Sequence, residues 1–123
     1  MKVVTPESIG RALEENIPQL AYVLPTDVAQ ALEQARQHET NRYAAQALDL
    51  LLENASIAAT DSVPLCQDTG TTWVCLEVGP DIVVPGNVFS RVNEGVAHAY
   101  VDGKLRKSVV KDALFNRENT QNN

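Results

Sequence analysis

Four consecutive side chains of different chemistry stand together: the thiol of Cys66, the amide of Gln67, the carboxylate of Asp68 and the hydroxyl of Thr69, followed by Gly70. Four polar groups in a row cannot all face a core, so several line a surface or a cleft. Gly70 permits the turn that lets them converge. The thiol is a candidate nucleophile, although no histidine lies near it in sequence to serve as its base. The alternative is purely local: Asp68 and Thr69 hydrogen-bond nearby amides in an Asx-type turn, and Cys66 is a small buried hydrophobe. Spacing alone favours that local role.

Cys75 is a different case. It lies between Val74 and Leu76 and shares a strand face with Trp73, so core packing is expected. Two cysteines are too few for a disulfide scaffold, and their spacing fits neither a zinc knuckle nor a Cys-x-x-Cys redox pair. His38 and His98 are far apart in helix-like segments and read as surface or locally satisfied residues.

A cationic segment adds a binding chemistry. Lys104, Arg106, Lys107, Lys111 and Arg117 stand against Asp112 alone, a net +4 within a chain of net charge −6, which leaves −10 elsewhere. The overall balance disfavours a general nucleic-acid binder. A local cationic patch on an acidic protein favours a small anion or an acidic partner, and its bland alternative is a solvated helix face.

The elements that must position these groups are mainly helical. Thr5-Pro6-Glu7 is a helix start, and Ile9, Leu13, Ile17 and Leu20 recur at helical spacing until Pro18 ends or kinks the run. Leu24-Pro25-Thr26-Asp27 turns into a second helix with Val28, Leu32 and Ala35 inward. Thr40 is the expected cap of the third and longest helix, whose stripe is Ala44, Ala47, Leu48, Leu51, Ala55 and Ala58. After the cysteine loop, residues 71–78 alternate like a strand. Residues 82–84 form a second short strand. Gly86-Asn87 opens a fourth helix with Val88, Val92, Val96 and Ala99 inward, stopped at Asp102-Gly103. Residues 105–115 are balanced between helix and extended chain. Residues 116–123 hold no apolar residue and four asparagines, the composition of a frayed tail.

A chain of 123 residues with 44% apolar and 21% charged residues suits one folded domain with a real core. No apolar run approaches the length of a transmembrane helix, and residues 1–11 lack the apolar block of a signal peptide. No membrane association and a cytoplasmic location are the expectations.

The string Pro64-Leu65-Cys66-Gln67-Asp68-Thr69-Gly70-Thr71 resembles the cluster-binding signature of the iron–sulfur hydro-lyases, the class I fumarases and tartrate dehydratase alpha subunits. Further similarity lies in Leu51-Leu52-Glu53-Asn54-Ala55-Ser56-Ile57-Ala58, Leu76-Glu77-Val78-Gly79, Ala99-Tyr100, Gly103-Lys104-Leu105-Arg106-Lys107-Ser108-Val109-Val110 and Arg117-Glu118-Asn119-Thr120. The matches run in family order over nearly the whole chain.

The resemblance implies an α+β fragment of a larger catalytic domain, mainly helical, with a small sheet following the cysteine loop. It implies reversible addition or removal of water on a small dicarboxylate, using a 4Fe–4S cluster held by three cysteines. Cys66 would be one of those ligands, Gln67 and Asp68 would face the substrate, Asp68 would belong to the acid–base pair, and Arg106 would bind a carboxylate. Family alpha chains continue past the position of Asn123, with the other two cluster cysteines there. This sequence is therefore expected to be an N-terminal portion, inactive alone, that works with a beta subunit or C-terminal domain in a homo- or hetero-oligomer. The rival is a non-catalytic binding or assembly module that retains the fold.

Overall fold

Thr5 caps the first helix as its sequence predicts. In a computed structural model that describes residues 1–123, the Thr5 hydroxyl accepts a hydrogen bond from Ser8 N at 3.2 Å. Pro6 takes the first helical position, where a missing N–H leaves nothing unsatisfied. The helix, α1 (Pro6–Tyr22), runs through Pro18 instead of ending there. Ile17 and Tyr22 are buried on either side of Pro18, so packing holds the final turn against the loss of one backbone bond.

Helix α2 (Thr26–His38) and helix α3 (Arg42–Asp61) form a hairpin in which α2 touches α3 alone. Val28 and Ala35 are consequently exposed and only Leu32 is half-buried, and on α3 Ala47 and Leu51 also face outward. An amphipathic stripe marks the face able to pack, and here the hairpin supplies one neighbour where the stripe could use two. The cap of α3 is Asn41, one residue later than expected. Its side-chain oxygen accepts from Tyr43 N at 2.9 Å and Ala44 N at 3.3 Å, while Glu39 holds Asn41 N at 2.7 Å. Asn41→Ala should therefore lower stability by about 1 kcal/mol in a urea titration, whereas Thr40→Ala should stay within about 0.5 kcal/mol. The reverse order would restore Thr40 as the cap.

Helix α4 (Val88–Asp102) is capped by Asn87, which accepts from Ser90 N at 3.3 Å. It packs along α1, and Gly10 meets Gly95 where they cross. A Cβ on Gly95 would lie 2.6 Å from Gly10 O. Around this crossing sit Ile17, Tyr22, Val96, Ala99, Tyr100 and Leu105, flanked by Leu13 and Ala21. Val96 and Ala99 are buried as predicted, with Val88 and Val92 half-buried.

The sheet is small and begins at the N-terminus. Strand β1 (Lys2–Val3) pairs in parallel with β2 (Ile82–Val83), Lys2 opposite Ile82 and Val3 opposite Val83. The predicted strand at 82–84 is thus present, and the fold is a mainly helical α+β arrangement. Residues 71–78 form no strand: no other segment pairs with their backbone, Trp73 is 92% exposed and Cys75 is exposed rather than packed in a core. Their alternation satisfies the side-chain requirement of a strand but not the backbone requirement.

Residues 105–115 are irregular. Asp112 accepts from Leu114 N and Phe115 N, both at 2.7 Å, and these backbone amides, Phe115 first, hold its carboxyl below the ordinary range. The tail expected to fray folds back instead. Val110 bridges Asn119 in antiparallel fashion, Lys111 N donates to Glu118 O at 2.9 Å and Thr120 N donates to Val109 O at 2.9 Å. Its asparagines and threonine bond to protein backbone where composition alone assigns them to solvent.

Candidate functional site

Three parts of the core hold the cysteine loop. Leu65 N donates to Ala21 O at the end of α1 at 2.9 Å, and Asn54 of α3 donates its side-chain amide to Leu65 O at 2.8 Å. The buried Tyr100 hydroxyl of α4 donates to Gly70 O at 3.0 Å. Gly70 has φ +69°, the left-handed region where a residue without Cβ is least strained.

Thr69 joins this loop to the cationic segment. Its hydroxyl accepts from Arg106 N at 2.9 Å and donates to Arg106 O at 3.2 Å. Residues distant in sequence thereby come together around an open cleft of about 430 Å³, whose lining includes Asn54, Cys66, Gln67, Thr69, Lys104 and Arg106 and no acidic side chain. Two cations facing such a cleft favour a small anion. Of the remaining predicted cations, Lys111 pairs with Glu118 at 2.9 Å, and Lys107 and Arg117 lie outside the cleft lining. A wider depression of about 510 Å³ lies between the starts of α1 and α4. Its charges, Arg91 with Glu7 and Glu94, are already paired with one another.

The candidate residues divide between two sides of the loop. Cys66 and Gln67 line the cationic cleft together with Arg106. Asp68 instead lines an adjoining groove with Leu20, Ala21, Leu65, Thr69 and Cys66, so only Cys66, Leu65 and Thr69 face both. Asp68 Oδ1 accepts from Gly70 N at 3.2 Å, the local turn anticipated for it. The Cys66 thiol is exposed and donates to Asp68 O at 3.1 Å, so it is not the buried hydrophobe of the local reading. His38 bonds to Gln34 O at 2.7 Å and His98 to Glu14 at 2.8 Å, as locally satisfied histidines do.

Asn54, Tyr100 and Asn123 escaped the sequence reading as parts of the site. Asn54 had a signal, since an amide inside an apolar helix stripe needs a partner. An iron–sulfur cluster does not fit this chain's residues by themselves. No three His, Cys, Asp or Glu side chains converge, and a cubane needs more thiolates than Cys66 supplies.

The family described as fumarate hydratase (Fumerase) matches residues 11–123, and this chain belongs to that family. It is 35% identical over 94% of its length to a protein of Methanocaldococcus jannaschii assigned as an L(+)-tartrate dehydratase alpha subunit. In Escherichia coli it is similar to the L(+)-tartrate dehydratase alpha subunit, at 29% identity over 81% of the chain, and to the anaerobic class I fumarate hydratase, at 28% over 85%. The chain spans 40%, 32% and 19% of the lengths of these three proteins respectively. No helix is long and apolar enough to cross a membrane.

Proposed function

We propose that this chain supplies the dicarboxylate-binding cysteine loop of a hydro-lyase acting on a fumarate/malate or tartrate type of substrate. The observation that carries this reading is the convergence of Cys66, Gln67 and Arg106 on one cationic cleft that contains no carboxylate. Arg106 offers a planar two-pronged donor to one substrate carboxylate, and Lys104 adds charge nearby. The Gln67 amide donates or accepts toward the substrate hydroxyl and fixes its orientation. Asp68, in the adjoining groove, is the acid–base candidate; its Oδ1 is held by Gly70 N and its second oxygen makes no hydrogen bond within the chain. A 4Fe–4S cluster belongs to this reading as the group Cys66 helps to hold, with its remaining ligands supplied from outside these residues. The partners are a beta subunit or C-terminal domain, and the complete enzyme is a cytoplasmic oligomer.

Possession of one candidate thiolate also favours a second reading, a binding or assembly module. A single experiment separates them. The isolated chain should bind fumarate or tartrate, with a dissociation constant on the order of millimolar, and move the NMR amide signals of Cys66, Gln67 and Arg106. It should stay colourless after anaerobic iron and sulfide reconstitution and turn over neither compound. Amide shifts confined to other surfaces would remove the dicarboxylate reading. Binding retained in a complete, cluster-loaded assembly that performs no hydration would favour the module.

A further inference from the structure

Asn123, three residues beyond the Asn119-Thr120 motif, has no part in the chemistry proposed above, and its hydrogen bonds give it a role. Asn123 uses its whole side chain. Its Oδ1 accepts from Ser108 N at 2.8 Å and Val109 N at 3.1 Å. Its Nδ2 donates to Gly70 O at 2.7 Å and Arg106 O at 3.1 Å. Both carbonyls are shared: Gly70 O also accepts from Tyr100, and Arg106 O also accepts from Thr69. One amide therefore closes a ring through the cysteine loop, the arginine segment and the buried end of α4. Thr120 holds Asn123 in register, since its N donates to Val109 O at 2.9 Å and its hydroxyl donates to Asn122 O at 2.6 Å.

Arg106 itself is exposed, and its guanidinium forms no ion pair within the chain. Its place beside Cys66 and Gln67 is set only through its backbone, by Thr69 on one side and Asn123 on the other. We propose that Asn123 is a positioning residue for Arg106, fixing the arginine backbone to the cysteine loop so that the guanidinium meets a carboxylate in the cleft. This inference rests on the dicarboxylate reading of the cleft for its functional consequence, and on the hydrogen bonds alone for its structural one. An amide suits the place because only a group with two acceptor lone pairs and two donors serves two N–H groups and two carbonyls together.

The test uses Asn123→Ala and Asn123→Asp in the full 123-residue chain. In Asn123→Ala, amide exchange at Arg106, Ser108 and Val109 should accelerate by about tenfold or more, with Val96 and Ala99 in the α4 core unchanged. Asn123→Asp keeps the acceptors but turns an oxygen on two carbonyls. It should leave Ser108 and Val109 protected while releasing Arg106, whose side-chain Nε resonance should shift and broaden. Fumarate or tartrate affinity should fall by about three- to tenfold in either variant. Asn123→Ala combined with Arg106→Gln should bind no more weakly than Arg106→Gln alone, because a residue acting through Arg106 has nothing further to lose. Unchanged Arg106 exchange, or losses that add in the double variant, would overturn the proposal. Release of Arg106 in a chain whose parent binds no dicarboxylate would sustain the positioning role and remove the functional reading instead.

Discussion

Gly95→Ala should destabilise the chain by about 3 kcal/mol, at the upper end of the usual overpacking range. The added methyl would sit 2.6 Å from Gly10 O and 3.1 Å from Gly10 Cα, a backbone surface that cannot rotate aside. The only relief is separation of α1 from α4, and those helices carry nearly all the core: Ile17, Tyr22, Val96, Ala99, Tyr100 and Leu105. Urea denaturation measures the loss. Gly79→Ala is the control, since a methyl there meets only Ile82 Cγ1, at 4.0 Å, and stability should stay within about 0.5 kcal/mol. Equal stability of the parent and Gly95→Ala would mean that the two helices do not cross at this glycine pair.

The second large effect is expected at Arg106. Arg106→Lys keeps the charge in the cleft but loses the two-pronged geometry, so dicarboxylate binding should weaken by about tenfold, and Arg106→Gln should weaken it further. Calorimetric or NMR titration reads this directly, with a monocarboxylate as comparison. A clamp on one carboxylate predicts that a monocarboxylate loses affinity by a similar factor, while diffuse attraction by Lys104 and Arg106 predicts a salt-sensitive loss that Lys restores. Unchanged binding in Arg106→Gln would leave this side chain as ordinary surface charge.

The helices were legible because their signals are local. Thr5-Pro6 and Asn87 announce helix starts that need no knowledge of the rest of the chain, and Val96 and Ala99 fall on the face that α1 covers. Asn41 displaced Thr40 because either residue type caps well, and the choice depends on where Tyr43 and Ala44 present their amides. At residues 71–78 the side-chain alternation was correct as a pattern, but pairing is a property of two segments, and β2 found its partner at Lys2 and Val3. Two residues are too few to leave any periodic trace in a sequence.

The site divides in the same way. Its chemical groups were visible at Cys66, Gln67, Asp68 and Arg106, and the resemblance, rather than any spacing, joined the arginine to the cysteine. That Asp68 faces a different groove from Gln67 follows from the left-handed turn at Gly70 and the lock between Thr69 and Arg106. The glycine marks the turn, but the direction it sends Asp68 and the pairing of Thr69 with Arg106 are not written in residue types. Asn123 was missed because an asparagine that bonds to distant backbone has the same composition as one that bonds to water.

The parallel pairing of Lys2 and Val3 with β2, together with the reach of Asn123 to Gly70, gives the molecule an order of assembly. The hairpin of α2 and α3 closes over a short stretch of chain and forms cheaply in entropy, whereas the segment between Gly70 and Ile82 is tied to both distant ends of the sequence. Closing loops of that length comes late in folding, after local contacts have narrowed the search. The surroundings of Cys66 are complete only when Arg106 has joined Thr69 and Asn123 has reached Gly70. During synthesis the thiol leaves the ribosome before Arg106 and Asn123, and because it is exposed in the finished fold as well, completing its neighbourhood does not shield it from oxidants.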